Sequence, residues 1–268
     1  MSACMSPFTL TDKIKNESFA VPCGKCPNCK ARRIGGWAFR LNEQIKTASS
    51  SQFITLTYAI EHIPILDNGQ TTINKRDPQL FFKRLRKANP NTKIKYYLAA
   101  EYGDKTDRPH YHIILFNAQL DTIQKAWDLG NIHYGDAGPA SITYTLKYIN
   151  KTIKIPKFDG DLRTPEFQLI SKGLGATYIN EKTIKWHSKN IENRYYLPLQ
   201  DGKKIALPRY YKDKLYTDEQ KKQISFHTQI KQAKKQPETD PKKIQQQITS
   251  DIHKFKLMQI KCSKNDKL

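Results

Sequence analysis

Three segments of this chain alternate apolar and polar or aromatic residues in the way half-buried strands do. They are Phe53–Tyr58 (FITLTY), Lys95–Glu101 (KYYLAAE) and Arg108–Phe116 (RPHYHIILF). Side chains of a strand point to opposite faces in turn, so β-branched and aromatic runs of this kind read as strands. Between the first two, Asp77-Pro78 marks a helix start, and Leu80, Phe81 and Leu85 make its apolar stripe among Lys83, Arg84, Arg86 and Lys87. Gly103-Asp104-Lys105 suits a hairpin turn between the second and third strands. The order strand–helix–strand–strand–helix predicts an α+β fold, an antiparallel sheet with packed helices.

Around this centre the chain divides into three parts. Residues 1–36 form a cysteine-bearing N-terminal segment. Residues 37–216 form the main domain, opening on a helix that starts near Gly36 and breaks at Ser49–Ser51. A short helix is expected over 119–128, ended by Gly130, then a strand over 132–134 and a helix over 141–153. Residues 154–216 are rich in proline, glycine and aromatics and resolve into no clear elements. Residues 217–268 are a basic, Lys/Gln-rich tail split by Pro237 and Pro241. Two exposed helices or partial disorder fit it, as a DNA-clinging or partner-binding tail.

The 268 residues carry 46 Lys+Arg against 25 Asp+Glu, a formal net charge of +21. That excess favours a polyanionic partner, because each neutralised phosphate releases a counterion. The bland alternative is repulsion that keeps the protein soluble. No window reaches the ~20 apolar residues of a membrane span, and Met1–Asn16 is too polar for a signal peptide. The expected location is therefore a cytoplasm and no membrane. Thiols stay reduced there, which argues against disulfides among the five cysteines.

His110 and His112 lie two apart on the third strand and project to one face, while Tyr111, Ile113 and Leu115 project to the other. Two imidazoles on a rigid strand can grip one divalent cation. Glu101, across the hairpin, would add the harder oxygen that Mg2+ or Mn2+ prefers. Taken alone, the pair reads equally as two half-buried, hydrogen-bonded histidines.

In the helix over 141–153, Ile142, Leu146, Ile149 and Ile153 form one stripe, and Tyr144, Lys147, Tyr148 and Lys151 form another. The first stripe would pack on the sheet. The second presents phenols and ammoniums together. A phenol can attack phosphorus and store the bond energy as a phosphotyrosine, and a lysine can stabilise the developing charge. An ordinary amphipathic helix with tyrosines at its polar border has the same pattern.

Cys23-x-x-Cys26-x-x-Cys29 supplies three thiols, and Cys4 is a candidate fourth. Such a set suits structural Zn2+, although a second separated pair is missing. An iron–sulfur cluster and free structural cysteines are the alternatives. Lys25, Lys30, Arg32 and Arg33 around the thiols suit DNA contact with or without metal. Cys262 is isolated in the tail and takes no assigned role.

Five pieces in order, PCGKCPNCKARR (22–33), FITLTY (53–58), EYGDKTDRPHYHIILF (101–116), YTLKYINK (144–151) and LPRYY (207–211), carry a family resemblance. The chain resembles the HUH endonucleases, specifically the replication initiation proteins of microvirus (gokushovirus-type) single-stranded DNA phages. The resemblance implies that His110, His112 and Glu101 are ligands of Mg2+ or Mn2+. It implies that Tyr144 and Tyr148 are the nucleophile pair, with Lys147 and Lys151 as helpers. If one tyrosine acts, Tyr148 is favoured, since Tyr148-x-x-Lys151 is the cleaner match. The family's central motif has an apolar middle residue where this chain has Tyr111.

The implied activity is site-specific nicking and rejoining of single-stranded DNA through a 5′-phosphotyrosine, which starts rolling-circle replication. The implied partners are the viral replication origin and the host helicase and polymerase, in a bacterial host's cytoplasm. No Gly-x-x-x-x-Gly-Lys-Ser/Thr loop is present to drive unwinding. Tyr58, Tyr96 and Trp127 are available to stack bases or to fill the core. A relaxase or transposase of the same chemistry is one alternative. A non-catalytic single-strand binding module is another.

Overall fold

A computed structural model describes residues 4–14, 16–103, 106–149, 155–199, 201–233 and 239–264. The chain forms two compact units, one of Met1–Trp37 with Tyr178–Leu268 and one of Ala38–Thr177.

At the start, β1 (Phe8–Asp12) and β2 (Glu17–Val21) pair as an antiparallel hairpin. Helix α1 (Pro27–Ile45) follows. The sequence expectation started this helix near Gly36, but it begins at Pro27. Proline is pre-set for the first helical turn, and Lys30 N donates to the Cys26 carbonyl at 2.9 Å. The cysteine motif therefore runs into the helix, and no break falls at residue 36.

The Ala38–Thr177 unit holds the sheet. Its elements are β3 (Ser51–Thr57), α2 (Arg76–Ala88), β4 (Lys95–Tyr102), β5 (Pro109–Phe116), α3 (Leu120–Ala126), β6 (Ile132–Asp136), α4 (Pro139–Leu146) and β7 (Gln168–Ile170). The five strands lie in the order β6-β3-β5-β4-β7, all antiparallel. The α+β architecture expected from the pattern is the one found.

The pleat sorts the strand residues. Ile54, Leu56, Leu98, Ala100, Tyr102, Tyr111, Ile113 and Leu115 are buried in one cluster with Phe81, Phe82 and Leu85 of α2 and Ile123 and Ala126 of α3. Burying each large apolar side chain contributes about 1.5–3 kcal/mol, so this face is the main source of the unit's stability. The opposite face carries Thr55, Glu101, His110 and His112.

Local chemistry shifts some boundaries. Asp77 was expected to cap α2. Instead the helix starts at Arg76, whose N–H is taken by Asn74 Oδ1 at 2.8 Å, and Asp77 accepts the Tyr58 hydroxyl at 2.6 Å. After α3 the chain turns back against β3 at Gly130 (φ +155°). A Cβ there would lie 2.3 Å from the Thr57 carbonyl, so only glycine fits. Helix α4 opens on Pro139 and is closed at its start by Ser141 Oγ, which accepts from Gly138 N at 2.8 Å. It then tightens into a 3₁₀ turn over Lys147–Ile149, where one long α-helix to Ile153 was expected. Ile142, Leu146 and Ile149 are buried as anticipated. Lys151 and Ile153 lie outside the described residues, as do Asp104 and Lys105 of the hairpin turn.

The C-terminal part of the other unit contains α5 (Glu181–Ser188), the hairpin of β8 (Tyr196–Pro198) and β9 (Lys204–Ala206), α6 (Arg209–Leu215), α7 (Asp218–Ala233) and α8 (Pro241–Lys264). Asn180 caps α5, taking Thr183 N at 3.0 Å while its own N–H goes to Thr183 Oγ1 at 3.1 Å. The tail is thus two helices, of which α8 leaves Ile244, Ile248 and Ile252 exposed.

Candidate active site

The site is built by register. Strand β5 runs between β3 and β4, which places Thr57 and Glu101 beside His110, and Thr55 and Ala99 beside His112. His110 and His112 share one face because they are two apart. The small Ala99 leaves room for Glu101 to lean toward both rings. Glu101 Oε1 is 2.8 Å from His110 Nε2 and 2.9 Å from His112 Nε2. One ligand atom from each residue lies within 4.8 Å of the others. Glu101 and His112 are buried, and His110 is partly open.

Burial alone would raise the Glu101 carboxyl. The hydrogen bonds and charge of the two imidazoles outweigh it and hold the group down at about 2, so it is a carboxylate at neutral pH. Burial pulls His112 below the ordinary imidazole range, against the pull of Glu101. His110 Nδ1 lies 3.1 Å from the Arg108 carbonyl, to which it can only donate. In a neutral His110 ring, Nε2 then carries a lone pair that faces the carboxylate oxygen. A shared cation, or a second ring proton, satisfies that contact. The donor set of two nitrogens and one carboxylate oxygen fits a divalent ion.

The last turn of α4 brings the phenols over this cluster. The Tyr144 hydroxyl is 3.5 Å from His112 Nε2, and the Tyr148 hydroxyl donates to Glu101 Oε1. The Tyr148 ring stacks on His112, with centroids 5.8 Å apart, and the Tyr144 ring meets the same imidazole edge-on at 5.0 Å. Lys147 Nζ sits 4.1 Å from the Tyr144 ring centre and 5.2 Å from that of Tyr148. Six of the expected residues thus converge: Glu101, His110, His112, Tyr144, Lys147 and Tyr148. Tyr148 is buried rather than presented on a polar border, because the 3₁₀ turn draws it toward the sheet.

Two members of the site were not singled out from the sequence. Thr55 Oγ1 lies 2.9 Å from His112 Nδ1, and the Phe53 ring stacks on His112 at 5.7 Å. Their signal was present in the alternation of FITLTY, since Phe53 and Thr55 occupy the face opposite Ile54 and Leu56. Tyr111 does face away, into the core. The aromatics considered for base stacking are core residues as well. Tyr58 and Trp127 are buried, and Tyr96 stacks on Phe82 with centroids 3.4 Å apart.

In the other unit, Cys4, Cys23, Cys26 and Cys29 come together, with all four Sγ atoms within 4.8 Å of one another. Burial opposes ionisation of Cys26, but hydrogen bonds from the backbone of Met5 and Cys29 bring it down to about 6. Burial, with Cys26 beside it, pushes Cys29 up to about 12.

The segment that carries the catalytic-looking face is also the segment that matches a known family. Residues 51–153 match the family model of the replication-associated protein ORF2. The chain is 30% identical over 221 residues to "Replication-associated protein ORF2" of Spiroplasma virus 4, covering 74% of this chain and 68% of that protein. The chain belongs to the replication-associated proteins of microvirus-type single-stranded DNA phages. Other members include "Replication-associated protein VP4" of Bdellovibrio phage phiMH2K, 27% identical over 82% of this chain and 75% of that protein. "Replication-associated protein ORF4" of Chlamydia phage 1 is 25% identical over 76% of this chain and 55% of its own length. No solved structure matches the chain. Among the described residues, no helix of this family member is long and apolar enough to cross a membrane.

Proposed function

We propose that this protein initiates rolling-circle replication by nicking and rejoining single-stranded DNA at a phage origin. One observation carries the reading: the Tyr144 and Tyr148 phenols and the Lys147 ammonium stand directly over the Glu101–His110–His112 cluster. A structural histidine pair needs neither phenols nor an ammonium at that place.

Glu101, His110 and His112 are the residues that would hold Mg2+ or Mn2+. That ion would polarise the phosphate oxygens at the scissile group. A phenol oxygen forms a bond to phosphorus while the bond from phosphorus to the 3′ oxygen breaks. The product is a 5′-phosphotyrosine and a 3′-hydroxyl, which takes up a proton. Lys147 places positive charge beside both rings, where negative charge develops. Lys151 has the same role in this reading. Tyr148 must release Glu101 before its oxygen can attack. With two phenols, one can cleave while the other still carries DNA. The 3′-hydroxyl then primes a host polymerase in the bacterial cytoplasm, and unwinding falls to a host helicase.

The excess of positive charge supports binding of the phosphate backbone. The test is an origin-bearing single-stranded oligonucleotide with Mn2+ or Mg2+. Wild type should form a covalent protein–DNA adduct. His110→Ala should lose it, and the Tyr144→Phe/Tyr148→Phe double variant should abolish it. Peptide mapping of the adduct assigns the nucleophile. Tight single-strand binding without any adduct would favour a binding module instead.

A further inference from the structure

We propose that Cys4, Cys23, Cys26 and Cys29 bind one structural zinc ion that closes the N-terminal hairpin onto the start of α1. The site is separate from the Glu101–His110–His112 cluster and does not depend on the reading of that cluster.

The sulfur geometry is that of a tetrahedral site. Zinc–thiolate bonds of about 2.3 Å put tetrahedral sulfurs about 3.8 Å apart. Cys4 Sγ and Cys26 Sγ are 3.9 Å apart, and all four sulfurs fall within 4.8 Å of one another. The backbone is arranged to support thiolates. Lys25 N and Cys26 N both donate to Cys23 Sγ, at 3.4 and 3.3 Å, and Cys23 N donates to Cys4 Sγ at 3.3 Å. Gly24 makes the tight turn this requires, with φ +71°. Such N–H groups orient a metal-bound sulfur and spread its charge. Cys29 lies in the first turn of α1, where the helix dipole favours an anion.

Charge and softness select the ion. Four thiolates leave a zinc site with a net charge of about −2. Lys25, Lys30, Arg32 and Arg33 bracket the motif in sequence and offset it. Thiolates suit zinc and disfavour the hard Mg2+ or Mn2+.

The hairpin supplies the reason for a staple. Cys4 precedes β1 and Cys23 follows β2, so both ends of the hairpin meet at the cluster. An isolated two-stranded hairpin is marginal in water. This one leaves Phe8, Leu10 and Phe19 about half exposed, so little apolar burial holds it. A metal that ties both of its ends to α1 provides the missing free energy.

The full-length chain should be purified without chelators and its metals counted by mass spectrometry. One zinc per chain is expected. Cys262→Ser and the His110→Ala/His112→Ala double variant should each keep it, whereas Cys26→Ser/Cys29→Ser should lose it. A mercurial thiol reagent should release one equivalent of zinc from wild type, a readout that does not need the cysteine variant to fold. Cobalt-substituted protein should show strong thiolate-to-metal absorption. Iron in place of zinc, disulfides in the intact mass with no metal, or loss of zinc in the histidine variant alone would each overturn the proposal. Because the histidine variant abolishes the adduct in the replication reading, failure of one proposal leaves the other standing.

Discussion

The Tyr148 hydroxyl donates to Glu101 Oε1, the same oxygen that faces the Nε2 atoms of His110 and His112. The phenol and a cation therefore compete for one carboxylate. A hydrogen bond to a charged group is worth about 1.5–3 kcal/mol. Tyr148→Phe should tighten Mn2+ binding by a few-fold to about tenfold, since each 1.4 kcal/mol is a factor of ten. Titration calorimetry on the DNA-free protein measures this. Weaker Mn2+ binding in the variant would mean that the phenol helps to hold the ion.

Thr55 fixes His112 from behind through the 2.9 Å contact between Oγ1 and Nδ1. Partners of this kind set the tautomer and direction of a ligand, and losing one costs about 10- to 100-fold in metal affinity or activity. Thr55→Val keeps the shape and the β-branched character of β3 and removes the hydroxyl. Its adduct formation should fall by about that factor at limiting Mn2+ and recover at saturating Mn2+. A variant as active as wild type at every Mn2+ concentration would remove Thr55 from the site.

Most of what positions the site was legible because strand periodicity is strict. Once Arg108–Phe116 is a strand, His110 and His112 must share a face, and a hairpin must bring Glu101 near them. Thr55 was equally determined by that alternation, but its importance depends on β3 pairing beside β5, a non-local fact. Strand β7 is only Gln168–Ile170 and exists because β4 offers it an edge, so no local pattern marks it. The start of α1 was hidden because Cys26 and Cys29 read as a metal loop, while Pro27 between them begins a helix. The burial of Tyr148 follows from a change of helix type at Lys147, which a uniform helical projection does not contain.

Tyr111 stands between the two histidines in sequence but belongs to the core. Its hydroxyl meets that of Tyr58 at 2.6 Å, donates to the Asn74 carbonyl at 2.6 Å and accepts from Asn74 N at 3.2 Å. Burial pushes this phenol well above the ordinary range, which makes it a poor nucleophile. Tyr111→Phe should cost about 1–3 kcal/mol of stability, because buried partners are left unpaired. Urea unfolding measures that loss. Adduct formation by the folded variant should match wild type, and a variant that is stable yet inactive would place Tyr111 in the chemistry.

His187 sets a pH dependence in the other unit. Burial lowers its pKa, the charge of Arg194 adds to this, and the hydrogen bond to the Arg194 carbonyl opposes it. Nδ1 lies 2.5 Å from that carbonyl and Nε2 is 2.9 Å from the Tyr178 hydroxyl, so the ring is held neutral with its proton on Nδ1. The unfolded chain has an ordinary imidazole at about 6.5. Between the folded and unfolded values the unfolded state binds more protons, so stability rises with pH in that window. The contribution is fully present above about pH 6.5 and is lost as pH falls below it toward the folded value. Urea unfolding from pH 7.5 to 5 should show this decline. His187→Gln should be less stable throughout but should lose less stability over the same range. His112, which burial also lowers, contributes equally to both proteins, so the difference between the two slopes isolates His187. Parallel slopes would show that His187 does not charge on unfolding.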